Sequence, residues 1–549
     1  MQRYRLGAHH PPAPRAAWSA SVPTERTSLM PIAYASPLQV GPAEHEPESV
    51  DTVDEILVAG RWQRGLGECI ESVDPATGRV FASLHTATVD DVDRAVTEGL
   101  RAARGGWSAL LPHERARVLH RVGNALDDEA ERVARLQTLD TGKTLTETRA
   151  LVASAANTFR YTAAALETMD SALTTPRGPW LTMSTYQPMG VVAAITPWNS
   201  PIASDAQKIA PALAAGNAVV SKPPVWAPWV TLRLARICEA AGLPAGVLSV
   251  LPGSGRTVGE ALVRHPDVAK VTFTGGTETG RHLAHLAADK LMPITLELGG
   301  KSPTIVFEDA DLEQALAGVL YGVFSSSGQS CIAGSRIFVH RSIAETFTGE
   351  LVRRAAALRL GPGTDPRTRV APMVTFAHRD RVAAMVDDAV AAGARALCGG
   401  AIPADERLSS GAYYPPTVLT GADNAATICR EEVFGPVAVV LPFDDEEDLI
   451  AQANDSVYGL ACGIWTSDYR RAWRVAGAVK AGTVWINTYK QFSISTPFTG
   501  LGDSGLGTEK GREGIRQYCD QKSIYLDLSG EPIAWATPDP TETRKDASR

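Results

Sequence analysis

The sequence is poor in cysteine, in long apolar runs and in net charge. Seven cysteines are spread over 549 residues without a C-x-x-C pair, and their number is odd, so neither a disulfide framework nor a zinc site is expected. No segment approaches the roughly 18 consecutive apolar residues that a membrane-spanning helix needs. The net charge of −8 is modest for this length and basic residues are scattered, which argues against nucleic acid and anionic membranes as partners. Small molecules are therefore the expected ligands, and the unpaired cysteines favour the cytoplasm.

The chain is longer than a single hydrophobic core usually allows, so at least two domains are predicted. Residues 1–50 are rich in Pro, Ala and Ser and lack apolar periodicity, which predicts a disordered extension. Several arginines precede the first acidic residue, Glu25, so a transit peptide is one alternative and a later start at Met30 is another. Residues 531–549 are predicted to be a flexible tail on the same compositional grounds.

Short apolar runs alternate with Ala-rich helical patterns between these ends, which predicts an α/β protein with largely parallel sheets. Residues 114–142 have apolar side chains at helical spacing and end at a glycine, so they form a predicted amphipathic helical region. Two polar and aromatic strand candidates, residues 180–187 and 522–529, are expected to pair with another subunit. The candidate strands of the alternating regions are GVVAAITP, NAVVSKPP, GVLSVLP, VAKVTFTG, TIVFED, SRIFVH, PVAVVLPF and TVWIN.

Two glycine-rich turns follow candidate strands. GSGRTVG, which contains Gly255, only partly matches the spacing of a dinucleotide-binding loop. FTGGTETG opens a helical pattern, so Gly275 and Gly280 would let backbone amides approach a pyrophosphate. FTGGTETG is the better candidate of the two, and for each turn the alternative is a tight connection that binds nothing.

The stretch GQSCIAGSR places Cys331 among small and polar residues. Taken alone, this cysteine is better explained as core filling than as a nucleophile. Glu297, in LELGGKSP, lies 34 residues earlier at the end of a candidate strand, and Asn199, in PWNSP, follows another. A thiol, a carboxylate and a carboxamide near strand ends would supply a nucleophile, a general base and an oxyanion donor.

Ordered motifs along the chain then show a resemblance to the NAD(P)-dependent aldehyde dehydrogenase superfamily, from about Leu57 to Leu528. The resemblance implies a Rossmann-type cofactor domain, an α/β catalytic domain and a small β oligomerisation element. The motifs that carry it are DPATG, LDTGK, PWNSP, SKP, FTGGTETG, LELGGKSP, GQSC, EEVFGPV, NDSVYGLA, GTVWIN and PFTGLGDSG.

The same resemblance implies where these parts lie along the chain. The cofactor domain would comprise residues 51–169 and 189–296, and the catalytic domain residues 297–517. The oligomerisation strands would lie within residues 170–188 and 518–530, and the assembly would be a homodimer or a homotetramer.

For catalysis, the resemblance implies that the Cys331 thiolate attacks an aldehyde. Asn199 and the backbone N–H of Cys331 would hold the oxyanion, a hydride would pass to nicotinamide, and Glu297 would activate water to hydrolyse the thioester. Lys208 matches a lysine thought to relay the proton, although a solvated helix lysine is an alternative. No metal is implied.

The implied cofactor is NAD or NADP. Val225 stands where members that favour NAD usually carry Glu, and Gly276 stands where Ser is common, so the choice between the two dinucleotides is open. The residues implied to bind the cofactor are Thr196, Pro197, Trp198, Lys222, Gly255, Gly275, Gly276, Gly280, Leu298, Gly299, Glu432 and Phe434.

Six side chains are expected to line the substrate tunnel, and the small or polar ones among them predict a roomy, partly polar site for a small-molecule aldehyde. A CoA-acylating semialdehyde dehydrogenase is one alternative, against which the presence of Glu297 argues. A non-catalytic protein on the same fold is the other. The expected tunnel residues are Ser200, Ser204, Gln207, Ser330, Ile332 and Phe492.

Overall fold

The computed structural model describes residues 52–536. The predicted disordered extension, residues 1–50, lies outside the described residues. Most of the predicted tail, residues 537–549, also lies outside them. No helix within the described part of the chain is long and apolar enough to cross a membrane.

The strands in chain order are β1 (Ile56–Val58), β2 (Arg61–Gln63), β3 (Cys69–Val73), β4 (Val80–His85), β5 (Ala172–Thr174), β6 (Trp180–Pro188), β7 (Val191–Ile195), β8 (Ala218–Lys222), β9 (Leu248–Val250), β10 (Val268–Thr274), β11 (Ile294–Glu297), β12 (Pro303–Val306), β13 (Arg336–His340), β14 (Arg395–Cys398), β15 (Thr417–Thr420), β16 (Val437–Phe443), β17 (Tyr458–Gly459), β18 (Ala461–Trp465), β19 (Thr483–Ile486), β20 (Leu501–Gly502), β21 (Gly505–Leu506) and β22 (Cys519–Asp527). The helices are α1 (Val89–Ala102), α2 (Pro112–Asp128), α3 (Ala130–Thr141), α4 (Leu145–Glu167), α5 (Pro201–Ala214), α6 (Trp229–Ala240), α7 (Glu260–Arg264), α8 (Thr277–Ala288), α9 (Leu312–Phe324), α10 (Arg341–Ala356), α11 (Phe376–Ala391), α12 (Thr427–Arg430), α13 (Glu446–Asn454), α14 (Tyr469–Ala478) and α15 (Gly511–Arg516).

The first large sheet has eight strands in the order β2-β1-β9-β8-β7-β10-β11-β21. Its five central strands are parallel and lie in the order β9, β8, β7, β10 and β11. Of these, β7 and β8 are buried along their whole length. Such strands are covered by helices on both faces, which explains their nearly continuous Val and Ala sequence. The chain winds one way from β7 and the other way from β10, so the carboxyl ends of these neighbours form a switch point where α/β sheets bind ligands.

The second large sheet has seven strands in the order β14-β15-β16-β13-β12-β18-β19, of which only the edge strand β14 is antiparallel. A separate hydrophobic core fills each of its faces. β11 ends at Glu297, and residues 298–302 lead directly into β12 of this sheet. The two sheets are therefore joined at the predicted general base.

The pairing of β12 with β13 explains why Glu297 and Cys331 stand at a fixed separation. The two strands are parallel and their register begins with Pro303 opposite Arg336. The segments that precede them, one containing Glu297 and the other Cys331, therefore emerge at the same edge of the sheet. A Cβ at Gly300 would collide with the carbonyl of Cys331, so the two segments lie in direct contact.

The two strand candidates outside the alternating regions pair with each other. β22 and β6 are antiparallel over nine residues, and β5 completes a three-stranded sheet. The other late segment, β21, pairs with β11 and places Gly505 opposite Glu297. A stretch predicted within the catalytic domain thus forms an edge of the first sheet, and the domain boundaries themselves stay a prediction.

The predicted helical region at residues 114–142 is two helices rather than one. Glu129 has non-helical backbone angles and separates α2 from α3, and the left-handed Gly142 ends α3. Thr144 then caps α4: its hydroxyl accepts from the Glu147 N–H, and the Glu147 carboxylate accepts from the Thr144 N–H and hydroxyl. Such a reciprocal cap stabilises a helix by about 1 kcal/mol.

Candidate active site

The loop before Cys331 makes an unusual left-handed turn. Ser326, Ser327 and Gly328 all have positive φ, between 54° and 69°. The turn is tied down, because the Ser326 N–H donates to Glu147 at 2.6 Å and the Ser327 hydroxyl donates to the Ala371 carbonyl at 2.7 Å. The cap of α4 therefore also fixes the loop that carries the candidate nucleophile.

Replacing Gly328 with alanine is expected to disrupt this loop. Its φ of +69° disfavours a side chain, and a Cβ there would collide with the backbone carbonyl of Gly435. We expect a loss of about 3 kcal/mol in unfolding free energy and a larger loss of turnover, because Cys331 would be displaced. Thermal denaturation and kinetics would test this. Gly349→Ala, in the open middle of α10, is the matched control, and an equal effect of the two changes would contradict the prediction.

Asn199, the expected oxyanion donor, lies against the Cys331 loop. It follows β7 in the turn that leads into α5, and its side-chain N–H donates to the Gln329 carbonyl at 3.1 Å. A carboxamide carries two N–H donors. The second donor is therefore available to a carbonyl oxygen bound next to Cys331.

The Glu297 carboxylate is buried at the end of β11. Neither of its oxygens has a hydrogen-bond partner among the described residues. Burial and the neighbouring charge of Glu509 raise its pKa well above the usual value, and Lys208 and Lys510 oppose that shift. A carboxylate with a raised pKa and unused oxygens is well suited to accept a proton from water or a thiol.

Lys208 is fully buried in α5, so the alternative of a solvated helix lysine is wrong. Its ammonium forms an ion pair with Glu509 and donates to the Thr272 hydroxyl at 3.1 Å. Glu509 was not predicted from the sequence. It comes into the site through a contact between residues 301 positions apart, and no local pattern marks it. Glu297, Lys208 and Glu509 form one buried group of interacting charges.

Cys331 is half-buried in this site. Burial and the negative charges of Glu432 and Glu297 raise its pKa to about 12, while Lys490 and the residue's own N–H lower it. The sulfur is therefore a thiol at neutral pH in this arrangement, and its attack on a carbonyl requires a proton acceptor. Glu297 is the candidate acceptor.

The six expected tunnel residues lie in three segments: the N-terminal half of α5, the loop around Cys331 and the loop that contains Phe492. The Ser200 and Ser204 hydroxyls lie 3.0 Å apart at the start of α5, and Ile332 is buried beside the cysteine. Phe492 is 47% exposed and packs against Trp485, with ring centroids 5.4 Å apart. Gln207 and Ser330 are half-buried. The wall contributed by the C-terminal part of the chain is thus aromatic, which the sequence did not indicate.

Lys222 and Gly255 lie on one side of the first sheet's carboxyl edge. The Lys222 ammonium, almost fully buried at the end of β8, donates to the carbonyls of Pro223 and Gly253 at 2.5 and 2.9 Å. The Lys222 carbonyl accepts from the Thr196 N–H at 3.2 Å, and Pro197, next in the chain, is buried. Gly255 begins a single π-helical turn before α7, with no atom within 4 Å of where its Cβ would be.

The loop FTGGTETG lies at the neighbouring strand end. Gly276 precedes α8, no side chain caps this helix, and no atom lies within 4 Å of a Cβ at Gly276. Gly275 and Gly280 allow close packing: a side chain at Gly280 would collide with Leu298, and one at Gly275 with Phe273. The uncapped amides and the open space are suited to a pyrophosphate group.

Glu432 is held by the loop between the two sheets. The Gly300 N–H donates to it at 3.0 Å, and a Cβ at Gly299 would lie 2.6 Å from its carboxylate. Burial raises the pKa of Glu432 to about 7. Two residues later, Phe434 has a positive φ of 56°, which is uncommon for a residue with a side chain and aims its ring in an otherwise disfavoured direction.

Phe434 belongs to an aromatic group with Trp198. Their ring centroids are 5.3 Å apart, and Trp198 also contacts Trp226 and His378. The His378 ring lies 2.9 Å from the Phe434 carbonyl and holds this loop in place. Trp226 and His378 were not predicted, because neither lies in a recognised motif. Buried Lys222, the uncapped α8 and this aromatic group together fit a dinucleotide laid across the switch point.

No group of three acidic, histidine or cysteine side chains in residues 52–536 is arranged to hold a metal ion.

Comparison with known proteins identifies the family of this chain. The model of the aldehyde dehydrogenase family matches residues 62–524. The chain belongs to this family. Its relatives include the betaine aldehyde dehydrogenases of Brucella melitensis, 42% identical over 468 residues, and Brucella ovis, 41% identical over 468 residues. Each alignment covers 84% of this chain and 94% of the relative.

Solved structures of aldehyde dehydrogenases have the same fold as this chain. The NAD+ complex of a betaine aldehyde dehydrogenase from Staphylococcus aureus has a TM-score of 0.87 and is 36% identical, covering 89% of this chain and 97% of that chain. The NAD+ complex of an aldehyde dehydrogenase from Bacillus cereus has a TM-score of 0.86 and is 35% identical, covering 89% of this chain and all of that one. The predicted family and fold class are confirmed.

Substitution of Val225 would test the cofactor preference of this aldehyde dehydrogenase. It lies half-buried in the loop after β8, three residues beyond Lys222. Valine neither accepts hydrogen bonds from ribose hydroxyls nor repels a 2′-phosphate, so both dinucleotides are expected to be used. Val225→Glu should raise the ratio of kcat/KM for NAD over NADP about 30-fold, because a carboxylate next to a phosphate is strongly unfavourable. Val225→Gln, which adds bulk without charge, is the control, and an unchanged ratio in the glutamate variant would contradict the assignment.

Proposed function

We propose that this protein oxidises an aldehyde to a carboxylic acid with NAD or NADP, through a covalent intermediate on Cys331. The observation that carries the proposal is the meeting of Cys331, Glu297 and Asn199 where the edges of the two sheets join, next to the cofactor loops. Membership of the aldehyde dehydrogenase family supports the same activity.

The first half of the reaction forms a bond between sulfur and carbon. Glu297 accepts the thiol proton, and the Cys331 sulfur adds to the aldehyde carbon to give a thiohemiacetal. The second N–H of Asn199 and the backbone N–H of Cys331 hold the oxygen that becomes negatively charged. Holding these donors in place before the reaction lowers the barrier, because the protein does not have to reorganise as charge develops.

NAD or NADP, held along the first sheet, would supply the acceptor for the hydride that leaves the thiohemiacetal carbon with its two electrons. The residues in contact with it would be Lys222, the α8 amides, Glu432 and the Trp198–Phe434 pair. The Cys331 thioester remains. Glu297 then takes a proton from water, the hydroxide oxygen adds to the thioester, and the acid leaves as the thiolate is released.

The buried charges beside Glu297 are the candidates to pass on the proton that it accepts. Lys208 and Glu509 are ion-paired behind it, and Thr272 bonds to the same lysine. Because Glu509 raises the pKa of Glu297, movement of the pair changes how strongly Glu297 holds its proton. We assign Lys208 and Glu509 to this relay.

Of the two alternatives, the CoA-acylating reaction does not need a base to activate water. The buried Glu297, with both oxygens unused, favours hydrolysis. The non-catalytic alternative is opposed by the complete set of nucleophile, base and oxyanion donor at one edge.

The test is turnover. Purified protein supplied with NAD or NADP and a panel of aldehydes should produce reduced dinucleotide, followed at 340 nm, and an equal amount of carboxylic acid, measured by chromatography. Reduced dinucleotide without acid, or only in the presence of CoA, would support the acylating alternative. Failure of every aldehyde with both dinucleotides would overturn the proposal.

We also propose a homodimer or homotetramer in the cytoplasm. The edge strand β22 carries several exposed apolar side chains, among them Ile524, Tyr525 and Leu526, and an edge strand of this kind is suited to cover by a second subunit. All seven cysteines are free thiols, which suits a reducing compartment. Light scattering of the purified protein would give the assembly size, and a monomer would contradict the first part.

A further inference from the structure

An aromatic wall borders Cys331 on the side formed by the C-terminal part of the chain. We define it by Trp485, Tyr489, Phe492 and Phe498, whose neighbouring ring centroids are 4.9 to 5.7 Å apart. Cys331 and Phe498 pack against the same small hydrophobic cluster, to which Trp485 and Tyr489 belong. The wall therefore lies within reach of the part of an aldehyde that extends away from the sulfur.

The ring faces at the open end of this wall are already covered by a cation. The Lys510 ammonium lies 3.9 Å from the centroid of Phe492 and 5.1 Å from that of Phe498. Among residues 52–536 it has no hydrogen bond and no carboxylate at ion-pair distance. Attraction to the ring faces compensates only part of what a partly buried ammonium loses by leaving water.

The backbone supports a role for this side chain. Lys510 has φ 60° and ψ 177°, a conformation that glycine adopts readily and lysine does not. Lys490 also has a positive φ, and its ammonium donates to the Ser325 hydroxyl at 2.8 Å without a carboxylate partner among the described residues. Both lysines occupy positions where their own backbone is disfavoured, but within the described part of the chain only Lys490 has a hydrogen-bond partner for its ammonium.

The acidic groups nearby are occupied elsewhere. Glu509 is ion-paired with Lys208, and Glu147 binds the Ser326 N–H and the Thr144 cap. Glu297 lies deeper, at the end of β11, and its pKa is raised. Burial lowers the pKa of Lys510, while Glu509, Glu297 and Cys331 oppose that shift.

We propose that Lys510 binds an anionic group, such as a carboxylate, carried by the aldehyde substrate, and that it excludes aldehydes bearing a quaternary ammonium group. This inference rests on the proposed function, because it names the substrate class of that site. A quaternary ammonium group would seek the ring faces that Lys510 covers and would meet a like charge there. A carboxylate would supply the anion that Lys510 lacks, while its aldehyde end reaches Cys331. This chain would thus differ in substrate from the betaine aldehyde dehydrogenases to which it is similar.

The experiment compares aldehydes that differ in charge: 4-oxobutanoate, butanal and betaine aldehyde. In the wild type, kcat/KM should be greatest for 4-oxobutanoate and least for betaine aldehyde. Lys510→Met keeps the chain over the rings and removes the charge. It should lower the ratio of kcat/KM for 4-oxobutanoate over butanal about 30-fold, which corresponds to the usual free energy of a hydrogen bond to a charged group. It should raise the ratio of kcat/KM for betaine aldehyde over butanal.

Two further variants make the outcome decisive. Lys510→Arg keeps the charge and should keep the preference, so it tests the charge even if Lys510→Met is unstable. Lys480→Met removes an exposed lysine at the end of α14 and is the matched control. Equal kcat/KM for the three aldehydes in the wild type, or an unchanged ratio in Lys510→Met, would overturn the inference and leave the proposed function standing. Absence of turnover with every aldehyde would instead refute the proposed function.

Discussion

Replacing Cys331 with alanine is expected to reduce aldehyde oxidation by about 10⁴-fold or more, because the covalent route has no other nucleophile. The change removes one sulfur atom from a partly exposed side chain, so the fold should be retained. Dinucleotide binding should also be retained, since Lys222, α8 and Phe434 are unaffected. The measurements are turnover at 340 nm and a fluorescence titration with the reduced dinucleotide.

The control is a second half-buried cysteine away from the site. Cys398 lies in the edge strand β14 of the second sheet, and Cys398→Ala should leave turnover unchanged. Mass spectrometry of the wild type mixed with an aldehyde and oxidised dinucleotide should locate an acyl adduct on the peptide that contains Cys331. Turnover that persists in Cys331→Ala, or an adduct on another cysteine, would refute the assigned nucleophile.

The sequence predicted the parts of this protein in which the chemistry and the local pattern coincide. The strands that end at Ile195, Lys222 and Thr274 are runs of Val, Ala and Thr because parallel strands are covered on both faces, and such runs are visible in the sequence. The motif residues at their ends were thereby placed at one edge. The separation of Cys331 from Glu297 was known from the sequence, and the parallel register of β12 and β13 supplies its physical reason.

The parts that the sequence did not predict depend on contacts between distant segments. Glu509 and Lys510 come to the site because β21 pairs with β11, and two-residue strands leave no periodic signal. Phe492 was expected in the tunnel, but the aromatic wall around it was not. The path of this loop depends on contacts between distant segments, such as the two backbone hydrogen bonds that Phe498 and Glu509 exchange. The break at Glu129 inside a continuous apolar pattern shows the same limit, because the pattern records which face is buried and not where the axis changes.

Replacing Glu297 with glutamine is expected to lower steady-state turnover by about 10² to 10³-fold, within the range that a general base contributes. The amide cannot accept the proton of water, so hydrolysis of the Cys331 thioester becomes slow. Rapid mixing should show reduced dinucleotide formed in a burst of at most one equivalent per subunit, followed by a slow phase. The size of the burst separates the two roles of Glu297, because it falls only if the carboxylate is also needed to remove the thiol proton.

The pH dependence gives an independent check on the same residue. Burial and the charge of Glu509 raise the pKa of Glu297, so its basic form is lost at a higher pH than for an ordinary carboxylate. A general base acts when deprotonated, so wild-type turnover at saturating substrate should rise with pH and fall as the pH drops through this raised pKa. In Glu297→Gln the residual turnover should lose that dependence.

A matched substitution at an exposed glutamate is the control for Glu297→Gln. Glu447, in the first turn of α13 and away from the site, can be replaced by glutamine with the same loss of charge, and its pH profile should remain that of the wild type. If Glu297→Gln lowered turnover but kept the wild-type pH profile, the titrating base would have to be another group, and Glu509 would be the next to test, because it shares the buried ion pair with Lys208. If it kept full turnover, hydrolysis would not depend on Glu297, and the distinction from a CoA-acylating enzyme would have to be sought in the acyl acceptor itself.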